Sequence, residues 1–226
     1  MIALRSLSKS YGRNHVLKGI DLTIEKGEIH GIVGKNGSGK TTLFNCLVGI
    51  QTFEGNIETS FEGPLKNTIG YLPTNPPIIS KITGEEYLRL LCSARKVGFN
   101  NDIDNIFELP LNRYIETYST GMTKKLAFHG ILLQKNEIFV LDEPFNGLDF
   151  QSCLLVIALL KKMKQAGKTV VLSSHIFSVL GDTCDYIHHL KDGLIANTVD
   201  ESGFKQAEKS LYDELIGDKV DSFEIL

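Results

Sequence analysis

Apolar and polar residues alternate along the first part of the chain, and this pattern predicts strands. The alternation is regular from Val16 to Ile24, and with the apolar positions of residues 1–11 it predicts a hairpin-like antiparallel pair. A further strand with a turn is predicted over 51–61, and a short strand over 67–72. Pro73 follows, and a residue without a backbone N–H ends the ladder. The chain is therefore predicted to begin with β structure.

The pattern becomes helical in the middle of the chain. Thr83 and Glu86 have the spacing of a capping box, so a helix is predicted to begin there. Glycine and asparagine at 98–101 end it, and apolar residues over 103–109 predict a short second helix that stops before a proline. Another helix is predicted over 124–133. These helices are predicted to form an insertion between two parts of an α/β core.

Buried strands and a helix are predicted in the last part of the chain. The apolar runs 137–142 and 169–173 are typical of parallel strands buried on both faces. Between them, 151–165 has the periodicity of an amphipathic helix. Residues 186–199 predict a β-hairpin that turns at Asp192-Gly193. We therefore expect α/β architecture.

A glycine-rich run lies between a predicted strand over 28–33 and a predicted helix over 42–48. It is Gly34-Lys35-Asn36-Gly37-Ser38-Gly39-Lys40-Thr41, which matches the phosphate-binding pattern G-x-x-x-x-G-K-T. Glycines allow successive backbone N–H groups to surround a phosphate, and the helix adds the positive end of its dipole. Lys40 is then expected to contact the β- and γ-phosphates, and the Thr41 hydroxyl to help bind Mg²⁺.

Two acids end the predicted strand at residues 137–142. In a parallel sheet this end should lie beside the phosphate loop. Asp142 is then expected to hold Mg²⁺ through its coordination shell, and Glu143 to face the attacking water as a general base. A pair of solvated acids at a strand end is the alternative interpretation. The acid pair thus adds a hydrolytic hypothesis to the phosphate loop.

Composition narrows the class of protein. The 226 residues suit one α/β domain, or one with a small subdomain, and the net charge of −3 gives no basic field that would attract nucleic acid. The four cysteines are scattered without a C-x-x-C pair, which favours reduced thiols. No apolar run is long enough to span a bilayer, so a membrane role would need a separate membrane-embedded partner. The tail from Glu201 mixes charged residues with periodic apolar residues, and no element is predicted there.

Taken together, the motifs give the chain a family resemblance. It resembles the nucleotide-binding subunit of an ABC (ATP-binding cassette) transporter over nearly all its length. Six matches occur in the family's order: Tyr11 (adenine-stacking aromatic), Gly34 to Thr42 (Walker A), Tyr118 to Met122 (signature), Leu141 to Pro144 (Walker B), Asn146 to Asp149 (D-loop) and Ser173 to His175 (switch histidine). A signature before a helix, with Walker B after it, is specific to this family, whereas Walker A alone is not.

The resemblance implies a fold and a domain organisation. Residues 1–226 would form a single ABC ATPase domain of the α/β class. Its P-loop NTPase core, of the RecA-like type, would carry an antiparallel N-terminal β subdomain and an inserted helical subdomain over about 74–130.

The resemblance also implies roles for residues. ATP would be bound by Tyr11, Gly34, Lys35, Asn36, Gly37, Ser38, Gly39, Lys40, Thr41 and Thr42 of one subunit and by Ser119 and Gly121 of the other. The Mg²⁺ ligands would be Thr41 and Asp142, and the catalytic residues Lys40, Glu143 and His175.

Simpler interpretations of four of the matching residues stay open at this point. Tyr11 could be a turn tyrosine, and Ser119 an ordinary helix cap. His175 could be a core or surface histidine, and Asp149, which resembles an interface residue, a helix N-cap.

The implied function is ATP hydrolysis that powers transport, with export favoured. The implied partners are a second ATP-binding subunit, as a head-to-tail homodimer or heterodimer, and integral membrane subunits; no nucleic acid is expected. The implied location is cytoplasmic, peripheral on the inner face of the membrane. Two alternatives remain: a soluble regulatory ABC ATPase that is not coupled to transport, and a subunit that binds ATP with degenerate hydrolysis.

Two positions depart from the family pattern. The family usually has a glutamine after the strand that ends near Leu72, where this chain has Thr74 and then Asn75. Which of the two replaces the glutamine is left open. The signature has Thr120 in place of glycine and Met122 in place of glutamine. This variant resembles a branch that includes drug, bacteriocin and antibiotic-resistance exporters, which is why export is favoured.

Overall fold

The computed structural model describes residues 1–99, 105–175 and 177–213. The strands in these ranges are β1 (Ile2–Tyr11), β2 (Asn14–Ile24), β3 (Ile29–Val33), β4 (Glu54–Thr59), β5 (Ile69–Leu72), β6 (Ile138–Asp142), β7 (Thr169–Ser173), β8 (Tyr186–Lys191) and β9 (Leu194–Asp200). The α-helices are α1 (Lys40–Leu47), α2 (Gly84–Ala94), α3 (Thr120–Leu133), α4 (Phe150–Gln165), α5 (Phe177–Gly181) and α6 (Phe204–Tyr212). Short 3₁₀ turns occupy Leu65–Asn67, Ile115–Thr117 and Glu201–Gly203.

The first strands form an antiparallel sheet in the order β2-β1-β4. Ile2 pairs with Ile24 on one side and with Thr59 on the other, so β1 is the central strand. The predicted antiparallel pair and the predicted strand within 51–61 are both confirmed. Alternation predicts them well because one face of such a sheet packs on the core while the other meets solvent.

The second sheet positions the candidate site. Its order is β5-β6-β7-β3-β8-β9, with parallel pairing from β5 to β8 and an antiparallel final strand. Ser173 at the end of β7 pairs with Ile32 of β3 and with Asp142 of β6. The carboxyl ends of these three strands therefore meet at one edge of the sheet. The predicted α/β class is confirmed.

The hairpin formed by β8 and β9 turns where the sequence predicts it. Asp192 and Gly193 have φ angles of 50° and 83°, which suit a two-residue turn between twisted strands. The Gly193 carbonyl accepts a hydrogen bond from the Lys18 N–H at 2.9 Å, so the hairpin also contacts β2.

The helices between β5 and β6 begin at side-chain caps. The Glu86 carboxylate accepts from the Thr83 N–H at 2.7 Å, and the Thr83 hydroxyl accepts from the Glu86 N–H at 3.3 Å, so the predicted capping box is confirmed. Helix α3 begins at Thr120, earlier than the predicted start at Lys124, because Ser119 is its N-cap and accepts from the Met122 N–H at 3.2 Å.

The short helix predicted over 103–109 is wrong for the residues of that range that are described, 105–109. The Asn105 side chain bonds both the N–H and the carbonyl of Leu109, at 3.0 and 2.7 Å, and so fixes a loop instead. Phe107 and Leu109 are buried in the core, so the spacing of these apolar residues results from their burial and not from a helical conformation. Residues 100–104 of the predicted break and helix lie outside the described part of the chain.

The tail, for which the sequence predicts no element, forms helix α6. Its first residue, Phe204, packs edge-on against Phe177 of α5, with ring centroids 6.5 Å apart. This contact brings the tail beside the sheet edge where the predicted site residues lie. None of the helices within the described residues has the length and apolar character needed to cross a bilayer.

Candidate functional site

The glycine-rich loop joins β3 to α1 at the carboxyl edge of the sheet. A Cβ placed on Gly34 would press on the Leu190 carbonyl and lie 2.7 Å from the Ser38 hydroxyl, so only glycine fits there. Gly39, with φ of 109°, is the left-handed residue immediately before α1. The loop is therefore a tight turn that leads into a helix N-terminus, as predicted.

Lys40 folds back over this loop. Its Nζ donates to the carbonyls of Gly34 and Lys35 at 2.8 and 3.3 Å, and lies 4.0 Å from a Glu143 carboxylate oxygen. Burial lowers the pKa of Lys40, whereas the carboxylates of Glu143 and Asp142 act to raise it. The ammonium thus lies between the loop and the acid pair, where it can contact an anion that enters the loop.

Asp142 is fully buried at the end of β6. One carboxylate oxygen accepts from the hydroxyls of Thr41 and Thr74, both at 2.7 Å, and the other accepts from the Ser173 hydroxyl at 2.6 Å. Three neutral donors hold one negative charge, which is otherwise costly to bury. A carboxylate with adjacent hydroxyl oxygens is the hard donor set that Mg²⁺ prefers.

Glu143 adopts a left-handed backbone conformation, with φ of 51°. Its N–H donates to the Ser173 hydroxyl at 2.9 Å, and its carbonyl accepts from Lys124 Nζ at 2.9 Å. Its carboxylate lies 2.8 Å from His175 Nδ1. Strain of this kind in a non-glycine residue is typical of sites where a side chain must be aimed.

These groups line one cleft of about 980 Å³. The predicted residues that line it are Gly34, Lys35, Asn36, Gly37, Gly39, Lys40, Thr41, Thr42, Asp142, Glu143 and His175. Ser38 instead lines an adjoining depression of about 280 Å³. Phe177, Glu208, Leu211 and Tyr212 form another wall, so the tail helix is part of the cleft.

The cleft fits a triphosphate with a magnesium ion. The buried Ser38 hydroxyl has no hydrogen-bond partner within the described residues, so it is available to a ligand of the loop. Within the ranges that the structure describes, no group of three His, Cys, Asp or Glu side chains is arranged to hold a metal ion by itself. The Asp142 carboxylate with the Thr41 hydroxyl offers the few oxygen ligands that Mg²⁺ takes from a protein, since this ion keeps several waters.

Three predicted residues lie away from the cleft of their own chain. Tyr11 is exposed at the end of β1, with the Lys9 ammonium 5.1 Å from its ring centroid. Ser119 is the exposed N-cap of α3. A Cβ on Gly121 would lie 2.6 Å from the Gly147 carbonyl, so the signature turn and the D-loop are in close contact.

Asp149 is an N-cap in this structure, the simpler of its two interpretations. Its carboxylate accepts from the Ser152 N–H at 2.8 Å at the start of α4. It also lies 3.6 Å from Lys125 Nζ of α3. The D-loop is thus linked to the signature helix by an ion pair between a largely buried lysine and an exposed carboxylate.

Several residues outside the predicted site set contact it. Thr74 bonds Asp142 directly, while Asn75 lines a separate groove of about 670 Å³, so Thr74 is the residue that reaches the acid pair. Ser173 belongs to a predicted motif, and its place at a strand end pointed to this edge. Lys124 had no such indication, since a lysine in a helix is usually a solvated side chain.

The chain is similar in sequence to known ATP-binding proteins of transporters. The family model described as ABC transporter matches residues 17–146, more than half of the chain. The ABC transporter ATP-binding protein YtrB of Bacillus subtilis is 31% identical over 217 residues, which is 91% of this chain and 74% of that protein. The lantibiotic transport ATP-binding protein SrtF of Streptococcus pyogenes is 27% identical over 237 residues, which is 97% of this chain and 99% of that protein.

Among solved structures, one similar fold is the dimeric post-hydrolysis state of the ATP-binding cassette MJ0796 bound to ADP and Pi. It matches with a TM-score of 0.80 and 25% identity, over 89% of this chain and 99% of that chain.

Proposed function

The chain belongs to the ABC transporter family as an ATP-binding subunit, and from that premise we propose that it hydrolyses ATP to power transport through separate membrane subunits. The reaction is ATP and water to ADP and phosphate. One observation carries the proposal: Lys40, Asp142, Glu143 and His175 converge on a single cleft at the carboxyl edge of the sheet.

The phosphate loop binds and orients the triphosphate. Backbone N–H groups of residues 34–42 surround the phosphates, and Lys40 contacts the β- and γ-phosphates in place of its present carbonyl partners. Thr41 and Asp142 hold Mg²⁺, which when bound neutralises charge that develops on the phosphate oxygens. Catalysis in such sites is mainly positioning and charge stabilisation.

Glu143 acts on the attacking water. Its carboxylate accepts a hydrogen bond from the water and orients the oxygen towards the γ-phosphate as a general base. His175 holds that carboxylate through the 2.8 Å contact and is close enough to the cleft to contact the γ-phosphate. Tyr11 stacks on the adenine ring, since its side chain is exposed and therefore accessible to a base.

Ser119 and Gly121 serve a second subunit. They begin α3, a helix of fourteen residues whose N-terminus can bind an anion, and they lie away from the cleft of their own chain. In a head-to-tail dimer each turn would contact the γ-phosphate held by the other chain. The dimeric state of the similar ATP-binding cassette bound to ADP and Pi supports this arrangement.

Membrane subunits complete the proposed transporter. We place the chain at the cytoplasmic face of the membrane, where a helical subdomain over about 74–130 transmits dimer closure to them. The groove that Asn75 lines lies between this segment and α1, which makes it a suitable contact region. Export is the favoured direction of transport. Two observations support it: the variant signature sequence and the similarity to a lantibiotic transport ATP-binding protein.

Turnover by purified variants tests the proposal. Lys40→Ala and Glu143→Gln are each expected to lower ATP turnover at least about 100-fold, since they remove phosphate contact and water activation. Glu143→Gln should still bind ATP with Mg²⁺, whereas Lys40→Ala should bind it weakly. Lys161→Ala and Glu62→Gln, the same changes at exposed positions, should match the parent. Unchanged turnover in both site variants would refute the assignment, and a parent without turnover would favour binding with degenerate hydrolysis.

A further inference from the structure

Lys124 is a buried lysine in α3 for which the proposed reaction gives no role. It is only 2% exposed, which is rare for lysine unless its charge has partners. Its Nζ donates to the Glu143 carbonyl at 2.9 Å. Burial lowers the pKa of Lys124, and the nearby Glu143 and Asp142 carboxylates oppose that shift. A cation is thus buried against the backbone of the proposed general base.

The backbone of Glu143 needs such support because it is left-handed. At φ of 51° a side-chain-bearing residue is strained, and it keeps that conformation only when neighbours fix it. On one side, the Glu143 N–H donates to the Ser173 hydroxyl. On the other, the Glu143 carbonyl accepts from Lys124 and, at 3.2 Å, from the Asn146 N–H. Of these contacts, the one from Lys124 is made by a residue of α3.

Helix α3 also begins with the signature turn. Lys124 lies one helical turn beyond Ser119 and Gly121, and on the same rigid element. A shift of that turn, when it meets or leaves a partner's phosphate, would therefore move Nζ relative to Glu143. The adjacent Lys125 makes a different contact, with the exposed carboxylate of Asp149, so the two lysines have separate partners.

We propose that Lys124 is a positioning residue for ATP hydrolysis, which fixes the backbone of Glu143 and couples it to the signature end of α3. The inference rests on the proposed function. The proposed role of Lys124 differs from a purely structural one. Its ammonium contacts the backbone of Glu143, the strained residue whose carboxylate is to be positioned, and not a residue of the hydrophobic core. Loss of the contact should therefore impair turnover more than ATP binding or folding.

Lys124→Met tests this, because methionine keeps the apolar stem and removes the donor. We expect kcat to fall about 10- to 100-fold, as displaced catalytic groups do, with KM for ATP within about threefold and Tm no lower than the parent's. Without nucleotide, hydrogen exchange at the Glu143 and Asn146 amides should quicken at least about fivefold. Lys161→Met, the same change at an exposed position of α4, should alter neither.

Lys124→Gln provides a second variant that keeps an N–H donor on a shorter side chain. Its kcat should lie between the values for Lys124→Met and the parent, and if the methionine variant does not fold, the glutamine variant is measured by both readouts. A kcat within about threefold of the parent, or unchanged amide exchange, would overturn the inference. The proposed function fails separately, if the parent itself has no ATP turnover. Amide exchange needs no turnover and so tests the inference even then.

Discussion

The phosphate loop and the signature turn are both helix N-termini, but the chain treats them differently. At the loop, Lys40 and Asp142 are buried and bonded to other residues of the same chain. At the turn, Ser119 is exposed, and its side chain accepts from the N–H of its own helix. One N-terminus thus lines a cleft together with other residues of the same chain, while the other is exposed and lies away from that cleft.

This difference indicates how the proposed functions are divided between the phosphate loop and the signature turn. In the proposed mechanism the loop, the acid pair and His175 bind and align the ATP of their own chain, because their contacts lie within that chain. The signature turn lies away from this cleft, so we expect it to act on a ligand that another molecule presents. Gly121 and Gly147 are pressed together, so the turn and the D-loop should move as one unit when that molecule arrives.

Among changes that distinguish the two helix N-termini, blocking the signature turn has the largest expected effect. Ser119→Arg places a bulky cation at the turn, so ATP-dependent dimerisation should be lost and turnover should fall at least about 30-fold. ATP affinity of the single chain should stay within about threefold, because the loop is untouched. Sedimentation velocity with ATP, in chains that also carry Glu143→Gln, measures the dimerisation.

Ser80→Arg is the matched control, an exposed serine in the same inserted segment. Mixing the Ser119→Arg chain with the Lys40→Ala chain sharpens the comparison. A head-to-tail pair contains one intact loop facing one intact turn, so the mixture should recover turnover that neither chain has alone. Dimerisation that survives Ser119→Arg would contradict the outward role of the turn.

Stability should depend on pH through a region away from the cleft. The Glu25 N–H donates to His30 Nε2, so His30 Nδ1 carries a proton and donates to His188 Nε2 at 3.0 Å. The Nδ1 of His188 then donates to the Thr198 hydroxyl at 2.9 Å. Burial lowers the pKa of His30 to about 4, against an opposing effect of Asp185; burial and then His30 lower the pKa of His188 to about 3. Both rings are therefore neutral in the folded chain.

The folded chain should lose stability in acid, because its two buried histidines resist protonation. The unfolded chain takes up protons near pH 6.5 and the folded chain does not, so stability is complete above pH 6.5 and is lost as pH falls towards 4. His30 alone should remove about 3 kcal/mol from the free energy of unfolding over that window. Urea unfolding at several pH values measures this, and His188→Gln should give a shallower slope. Equal slopes for parent and variant would show that the pair does not resist protonation.

Tyr11 should affect binding of the adenine base of ATP and not binding of its phosphates. Tyr11→Ala is expected to weaken ATP binding about tenfold, the usual scale for loss of one stacked base. Inorganic triphosphate should bind the variant as well as it binds the parent, because the loop is intact. Calorimetric titration of both ligands measures this, with Tyr11→Phe as the control that keeps the ring. Equal ATP affinity in the alanine variant would favour a turn tyrosine.

The smallest expected effect comes from the tail. Glu208 places a carboxylate in the cleft wall, where it should oppose binding of a polyanion. Glu208→Gln should lower KM for ATP about two- to threefold, less at high salt because exposed charges are screened. Glu62→Gln is the control on a remote surface. A raised KM would instead indicate that Glu208 contacts the nucleotide directly.

How much could be predicted from the sequence depends on how local each feature is. The loop and the acid pair were predictable, because strand ends and glycine spacing place them without further information. The contact of Thr74 with Asp142 was not, because it depends on the pairing of β5 with β6. The loop at Asn105 shows a similar limit, since a side chain that bonds the backbone outweighed the apolar spacing. Helix α6 was missed because it is stabilised by packing on α5, which the tail alone does not encode.

The most direct test of the central claim is a crystal structure of the Glu143→Gln chain with ATP and Mg²⁺. We expect the triphosphate against the backbone of residues 34–42, with the metal about 2.0–2.1 Å from the Thr41 hydroxyl oxygen and the side chain at position 143 facing the γ-phosphate. A triphosphate bound elsewhere, or a position 143 directed away from it, would contradict the account.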